Sequence, residues 1–128
     1  MERVKGLGGL FFKSRDPAAL SEWYRERLGM EIDEHRIAQL RWRRDDESAL
    51  RETTVWSPFK ADTKYFEPST ATFMMNFIVD DLDAMLAQLR AAGATVDAKV
   101  DESEYGKFGW VMDPDGNRIE LWQPPRGK

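Results

Sequence analysis

The sequence predicts an α+β domain built from two similar halves, and three observations carry that prediction. First, "LFFKSRDPAALSEWYRERLGMEI" and "NFIVDDLDAMLAQLRAAGATV" share one order of signals: apolar strand pattern, Asp, helical pattern, Gly, strand pattern again. Second, "TTVWSP" (Thr53 to Pro58) and "IELWQP" (Ile119 to Pro124) place a Trp and a Pro alike. Third, Asp16 and Asp81 stand 65 residues apart while Trp56 and Trp122 stand 66 apart, and a near-constant offset along half a chain marks a duplication. Each half reads as strand, helix and about three further strands. The expected organisation is two βαβββ modules in one domain over 1–128: module one over 1–58, a crossing loop over 59–71, and module two over 72–128.

The elements follow in order. "GLGG" (Gly6 to Gly9) precedes a strand rather than opening a helix, so it is no dinucleotide fingerprint; its glycines permit close packing or leave room in a cup formed by the sheet. Asp16 suits the helix N-cap, where its side chain accepts from free amides, and Pro17 suits the first helical position. Leu20, Trp23, Tyr24 and Leu28 form a stripe expected to pack on the sheet, with Trp23 in the core. Gly29 suits the left-handed residue that ends the helix. Strands are expected near Met30–Asp33, Ile37–Arg43 and Arg51–Trp56, with "RWRRDDES" as a solvated hairpin tip of mixed charge. The joining segment "SPFKADTKYFEPSTAT" carries Phe59, Tyr65 and Phe66, too many large apolar groups for a flexible linker, so an ordered crossing loop is expected. In module two Asp81 caps a helix with the stripe Leu82, Met85, Leu86 and Leu89, and Gly93 ends it. Strands are expected near Val96–Val100, Phe108–Met112 and Arg118–Trp122, the last two joined by the turn "DPDGN". Side chains alternate along a strand, so Ile119 and Leu121 share one face, and Arg118, Glu120 and Trp122 the other.

Composition narrows the function classes. The 128 residues are 41% hydrophobic and 33% charged, which fits one folded domain. A net charge of -4 argues against nucleic acid or an anionic membrane as partner. The chain has no cysteine, which excludes disulfides, thiolate chemistry and zinc-thiolate sites. No apolar run approaches the ~20 residues a bilayer-spanning helix needs, and the N-terminus lacks a signal-peptide apolar region, so a cytoplasmic location is expected. Phosphate-loop, nucleophile-elbow and zinc-protease motifs are missing from the sequence.

The stretches "FFKSRDPAALSEWYRERLGMEI", "NFIVDDLDAMLAQLRAAGATV" and "GKFGWVMDPDGNRIELWQP" resemble the vicinal oxygen chelate superfamily, which includes glyoxalase I, extradiol dioxygenases, and fosfomycin and bleomycin resistance proteins. The resemblance covers nearly the whole chain. It implies that the two modules curl their mixed sheet into an open cup with the helices on the convex side. Ile119 and Leu121 would then face the helices, and Glu120 and Trp122 the cup. Metalloenzymes of the superfamily hold a divalent ion in the cup, with ligands from the first and last strands of each module. The first-strand positions, seven residues before each capping Asp, are here Gly9 and Met74. The last-strand positions are Glu120 and, counted back from Trp56, Thr54. Glycine offers no donor and a thioether suits hard ions poorly, so no metal site and no cofactor are expected. Glu52, Asn76 and the lone His35 are the residues that could substitute as donors. His35 reads as a surface residue, while Glu52 with Glu120 would make at most a weak magnesium-like site.

The expected ligand-binding set is Phe11, Thr54, Trp56, Met74, Asn76, Phe108, Trp110, Glu120 and Trp122, with Tyr105 and Lys107 at the rim. So many aromatic groups suit a small, flat, aromatic or amphipathic organic molecule. The resemblance thus implies a binding protein of the glyoxalase/bleomycin resistance type. Two alternatives stand beside it: a metal-independent isomerase or lyase with Glu120 as catalytic acid or base, and a lyase or dioxygenase with substituted metal ligands. Whether the chain is an enzyme is open at this point. A homodimer with contacts near the first strands of the modules is also expected, and Asn76 and Thr54 are the expected polar neighbours of Glu120.

Overall fold

A computed structural model describes residues 1–46 and 50–126. Eight strands form one open, curled sheet: β1 (Gly6–Ser14), β2 (Ala38–Arg43), β3 (Arg51–Lys60), β4 (Phe73–Ile78), β5 (Thr95–Val96), β6 (Asp101–Ser103), β7 (Gly106–Met112) and β8 (Arg118–Gln123). Their order is β2-β3-β1-β4-β8-β7-β5, with β6 also paired to β7. β1 pairs parallel to β3 and β4 parallel to β8. β1 and β4 pair with each other antiparallel at the centre, and this seam joins the modules.

The helices α1 (Pro17–Leu28) and α2 (Leu82–Ala91) start where the caps predict. Asp16 accepts from the Ala19 amide and Asp81 from the Ala84 amide, and Gly29 takes the left-handed conformation after α1. α2 buries Leu82, Met85 and Leu86 against Val111 and Leu121, the main apolar core. α1 packs far less deeply. Trp23 is 51% and Leu28 60% exposed, so the expectation of Trp23 in the core is wrong. Its neighbour Tyr24 takes the inward place instead, with its ring 4.7 Å from Trp56.

Further expectations need correction. Near Val96–Val100 only Thr95–Val96 is strand, and pairing resumes at Asp101–Ser103. Met30–Asp33 is no strand: only Ile32 bridges to Ala38. The reason lies just beyond, where Asp33 Oδ1 accepts from the His35 and Ile37 amides and holds a turn that competes with a ladder. "RWRRDDES" is not uniformly solvated either. Arg44 is 3% exposed, and its guanidinium donates to Asp46, Asp80 and Glu52, the shortest contact being 2.7 Å to Asp80. Arg126 grips Glu52 from the other side at 2.7 and 3.0 Å. This cluster ties the β2–β3 hairpin to the segment before α2 and to the C-terminal tail. Glu47 and Ser48 lie outside the described residues. β3 also continues to Lys60, two residues into the stretch expected to be the crossing loop.

Candidate functional site

Register places one row of side chains across the concave face: Gln39, Val55, Gly9, Asn76, Glu120 and Trp110, each paired with the next. Paired residues share a face, so this row fixes which groups meet. Between Leu7 and Gly9 the ladder slips at a bulge. A Cβ on Gly8 would stand 2.2 Å from Asn76 Oδ1, and one on Gly9 3.3 Å from Asn76 Cβ. Both glycines therefore give the Asn76 side chain its space.

Glu120 is 2% exposed and fully engaged. Asn76 Nδ2 donates to Oε1 at 2.6 Å, and Trp110 Nε1 to Oε2 at 3.0 Å. The Tyr65 hydroxyl also donates to Oε2. Burial pushes the Glu120 carboxyl above its ordinary range, opposed by these three donors and by the nearby Arg118 charge. Burial and the Glu120 carboxylate likewise push the Tyr65 phenol up, so it remains a donor. Arg118 lies 4.9 Å over the Trp110 ring and 5.7 Å over Tyr65, and donates to the Tyr65 carbonyl.

Tyr65 and Phe66 belong to the crossing loop, which folds back over the sheet. Phe66 is 1% exposed and packs on Met74 and Trp110, with Phe11, Phe59 and Phe108 around them. The loop thus converts one half of the cup into core, and Met74, Trp110 and Glu120 lie beneath it. The other half stays open as a cavity of about 550 Å³. Its walls include Gly8, Phe11, Val55, Asn76, Phe108 and Trp122, with Asp33 and Glu104 among the lining groups. Phe108 and Trp122 stack with centroids 5.9 Å apart and planes within 5°. Asn76 Oδ1 is buried and has no hydrogen-bond partner among the described residues. A second, more open recess of about 630 Å³ at the C-terminal end of α1 shares Asp33, Ile37 and Gln39 with the first.

Of the residues expected in the cup, Phe11, Met74, Asn76, Phe108, Trp110, Glu120 and Trp122 lie on the concave face. Thr54 and Trp56 do not. Trp56 meets Tyr24 of α1 and Phe12, and Thr54 accepts from Trp42 Nε1 and donates to the Leu7 carbonyl, so both face the helix side. Their misplacement comes from the two offsets: 66 equates Thr54 with Glu120, whereas 65 equates Val55 with it. One residue of slip exchanges the faces of a strand. Glu52 shares the parity of Thr54 and is held by Arg44 and Arg126, so it cannot join Glu120 around an ion. His35 is exposed beside Glu34 at 3.5 Å, at the edge of the cavity. The glycines of "GLGG" do leave room in the cup, at Gly8 and Gly9, whereas sequence reasoning missed Val55, Gln39, Asp33 and Glu104 as wall residues, and Tyr65 as the group that closes over Glu120. For Val55 the 65-residue offset was the available signal.

The donor set does not fit the superfamily's metal. The central row offers Val55 and Gly9 where donors would stand, and both Glu120 oxygens already accept from protein. Among the described residues no three His, Asp or Glu side chains converge around a possible ion position.

The family model of the glyoxalase-like domain matches residues 9–122. The chain therefore belongs to the glyoxalase-like domain family, within the vicinal oxygen chelate superfamily. Among solved structures it is similar to methylmalonyl-CoA epimerase from Mycobacterium tuberculosis, at 21% identity and a TM-score of 0.61, covering 96% of this chain and 90% of that one. It is similar to Streptomyces coelicolor methylmalonyl-CoA epimerase in complex with 2-nitronate-propionyl-CoA, at 19% identity and a TM-score of 0.66, covering 93% and 96%. It is also similar to a glyoxalase/bleomycin resistance protein/dioxygenase superfamily member from Vibrio splendidus 12B01, at 15% identity and a TM-score of 0.56, covering 94% and 97%. At such identities the likeness concerns the fold alone. No curated protein sequence matches the chain. Among the described residues no helix is long and apolar enough to cross a membrane.

Gly8 gives a direct test of the cavity wall. Its Cβ would also stand 2.9 Å from the Trp122 ring and 3.0 Å from Ile78, and Asn76 is tethered to Glu120, so these neighbours cannot easily yield. Gly8→Ala is expected to lose about 1–3 kcal/mol through overpacking. Urea denaturation measures it, and an unchanged midpoint would mean that Asn76 is free to move.

Proposed function

We propose that this protein binds a small organic molecule in the open half of its cup, without a metal ion. The observation that carries this reading is the division of the concave face. Glu120 is closed beneath Tyr65, whereas the adjoining 550 Å³ cavity keeps an aromatic wall and a buried, unpartnered Asn76 oxygen. Such a combination of apolar walls with few placed polar groups is the usual form of a ligand site. The CoA ester of the epimerase neighbour carries phosphates, and among the described residues the lining of this cavity offers them no lysine or arginine. A screen of organic ligands by thermal shift, with and without divalent ions, tests the reading. Stabilisation that is independent of metal supports it. Stabilisation by ligands only in the presence of a divalent ion would overturn it.

Purified protein is accordingly expected to retain no stoichiometric zinc, nickel, iron or manganese, because such ions take three or four protein donors. Elemental analysis showing one ion per chain, lost in Glu120→Ala, would contradict this.

A homodimer belongs to the same proposal. β1 and β4 are used up in the central seam, so contacts between copies must use faces or the outer strands. Leu10, Trp23, Leu28 and Leu40 are all more than one-third exposed on the convex side of module one and supply apolar surface for a second copy. Sedimentation is expected to show a dimer at micromolar concentration, and a monomer there would remove the idea.

A further inference from the structure

We propose that the ligand of the open cavity is a planar organic cation that carries an N–H or O–H donor; this rests on the binding reading above. Three features of the cavity converge on that class.

The first is Asn76. Its Nδ2 is committed to Glu120 Oε1 at 2.6 Å, which fixes the amide orientation and leaves Oδ1 as the free end. Asn76 is 1% exposed and Oδ1 has no partner. The atom lies beside the gap that Gly8 leaves in the wall. A buried acceptor without a donor is costly, so a donor on the cavity side is the partner that would satisfy it. A ligand that offers only acceptors would be repelled there.

The second feature is charge. Among the described residues Asp33 and Glu104 are the anionic groups of the lining, no lysine or arginine joins them, and His35 stands at the edge. Asp33 Oδ1 accepts from two backbone amides, which leaves Oδ2 for a ligand. Arg41 donates to Gln39 at 3.1 Å and lines the second recess rather than this cavity.

The third is the aromatic wall. The parallel Phe108–Trp122 pair lines the cavity with Phe11 and Tyr105, and aromatic rings attract both a flat apolar body and a positive charge. An anion would meet carboxylates and ring faces of its own sign. A neutral flat molecule would gain only the stacking.

Three fluorescent probes separate these cases: proflavine, a planar cation with amino N–H groups; acridone, planar and neutral with one N–H; and anilinonaphthalene sulfonate, an anion with one N–H. Proflavine is expected to bind about tenfold or more tightly than the other two, with an affinity that falls as salt is raised. The double variant Asp33→Asn with Glu104→Gln should weaken proflavine about three- to tenfold and leave acridone unchanged, since only a charge-assisted contact is removed. The wild-type Asn76 side-chain amide resonances should also shift on titration with proflavine, because the ligand donor meets Oδ1. Binding of acridone or the sulfonate as tightly as proflavine would overturn the cation class and leave the binding reading standing. Proflavine binding that ignores the double variant and leaves the Asn76 resonances unmoved would also overturn the class. Failure of all three probes to bind at millimolar concentration would overturn both.

Discussion

Glu120→Ala is expected to be the most damaging single substitution in the cup, at about 3–5 kcal/mol of stability, because it removes a buried acceptor and leaves a void. Trp110 Nε1, Asn76 Nδ2 and the Tyr65 hydroxyl all point at that carboxylate, and Trp110 and Asn76 are at most 2% exposed. Glu120→Gln should be far milder, at about 1–2 kcal/mol, since one amide oxygen still serves Tyr65 and Trp110 while Asn76 can turn its own amide to accept from the new NH2. The two variants also differ in their pH response. Burial raises the Glu120 carboxyl in the folded state, so the folded protein binds the proton more tightly than the unfolded chain. Stability from this group therefore falls as pH rises from the ordinary carboxylate value through the raised one, and Glu120→Gln should lose that slope. Urea denaturation across this range measures both effects. An alanine variant within about 1 kcal/mol of the parent would show that the three donors find other partners.

Arg44→Met is expected to cost about 2–4 kcal/mol, the lower side of what breaking a buried ion pair removes, because Glu52 keeps Arg126. Met retains much of the side-chain volume, so the loss reports charge and hydrogen bonding rather than a cavity. Hydrogen bonds from Arg44 hold the Asp46 and Asp80 carboxyls below the usual carboxylate range. A depressed carboxyl stabilises the fold above its unfolded value, and that contribution disappears as pH falls through the folded value. The gap between parent and Arg44→Met should accordingly narrow in acid. A gap that stays constant from neutral to acid pH would mean that these carboxylates do not depend on Arg44.

Much of the fold was legible because local signals and topology agree. The caps Asp16 and Asp81, the glycines that end the helices, and the apolar faces of β7 and β8 all stand where the residues place them. The errors have definite physical origins. Trp56 and Thr54 were assigned to the wrong face because matching tryptophans gave an offset one residue longer than matching caps, and strand parity does not survive such a slip. Arg44 looked solvated because its partners come from Asp80 and Glu52, distant in sequence. The crossing loop was expected to be ordered from its aromatic content, but its landing place on Glu120 depends on long-range packing that no local pattern encodes. The unpartnered Asn76 oxygen follows from that same packing.

Asn76 sits at the border between the closed and open halves of the concave face, with one end of its amide turned to each. An amide whose oxygen accepts a hydrogen bond becomes more polar at its nitrogen, so a donor arriving at Oδ1 strengthens the bond from Nδ2 to Glu120. Glu120 in turn holds the Tyr65 hydroxyl. The chain of contacts runs from the cavity wall to the crossing loop through Asn76 and Glu120, so the proposed ligand site and the seal over Glu120 are joined by one hydrogen-bonded path.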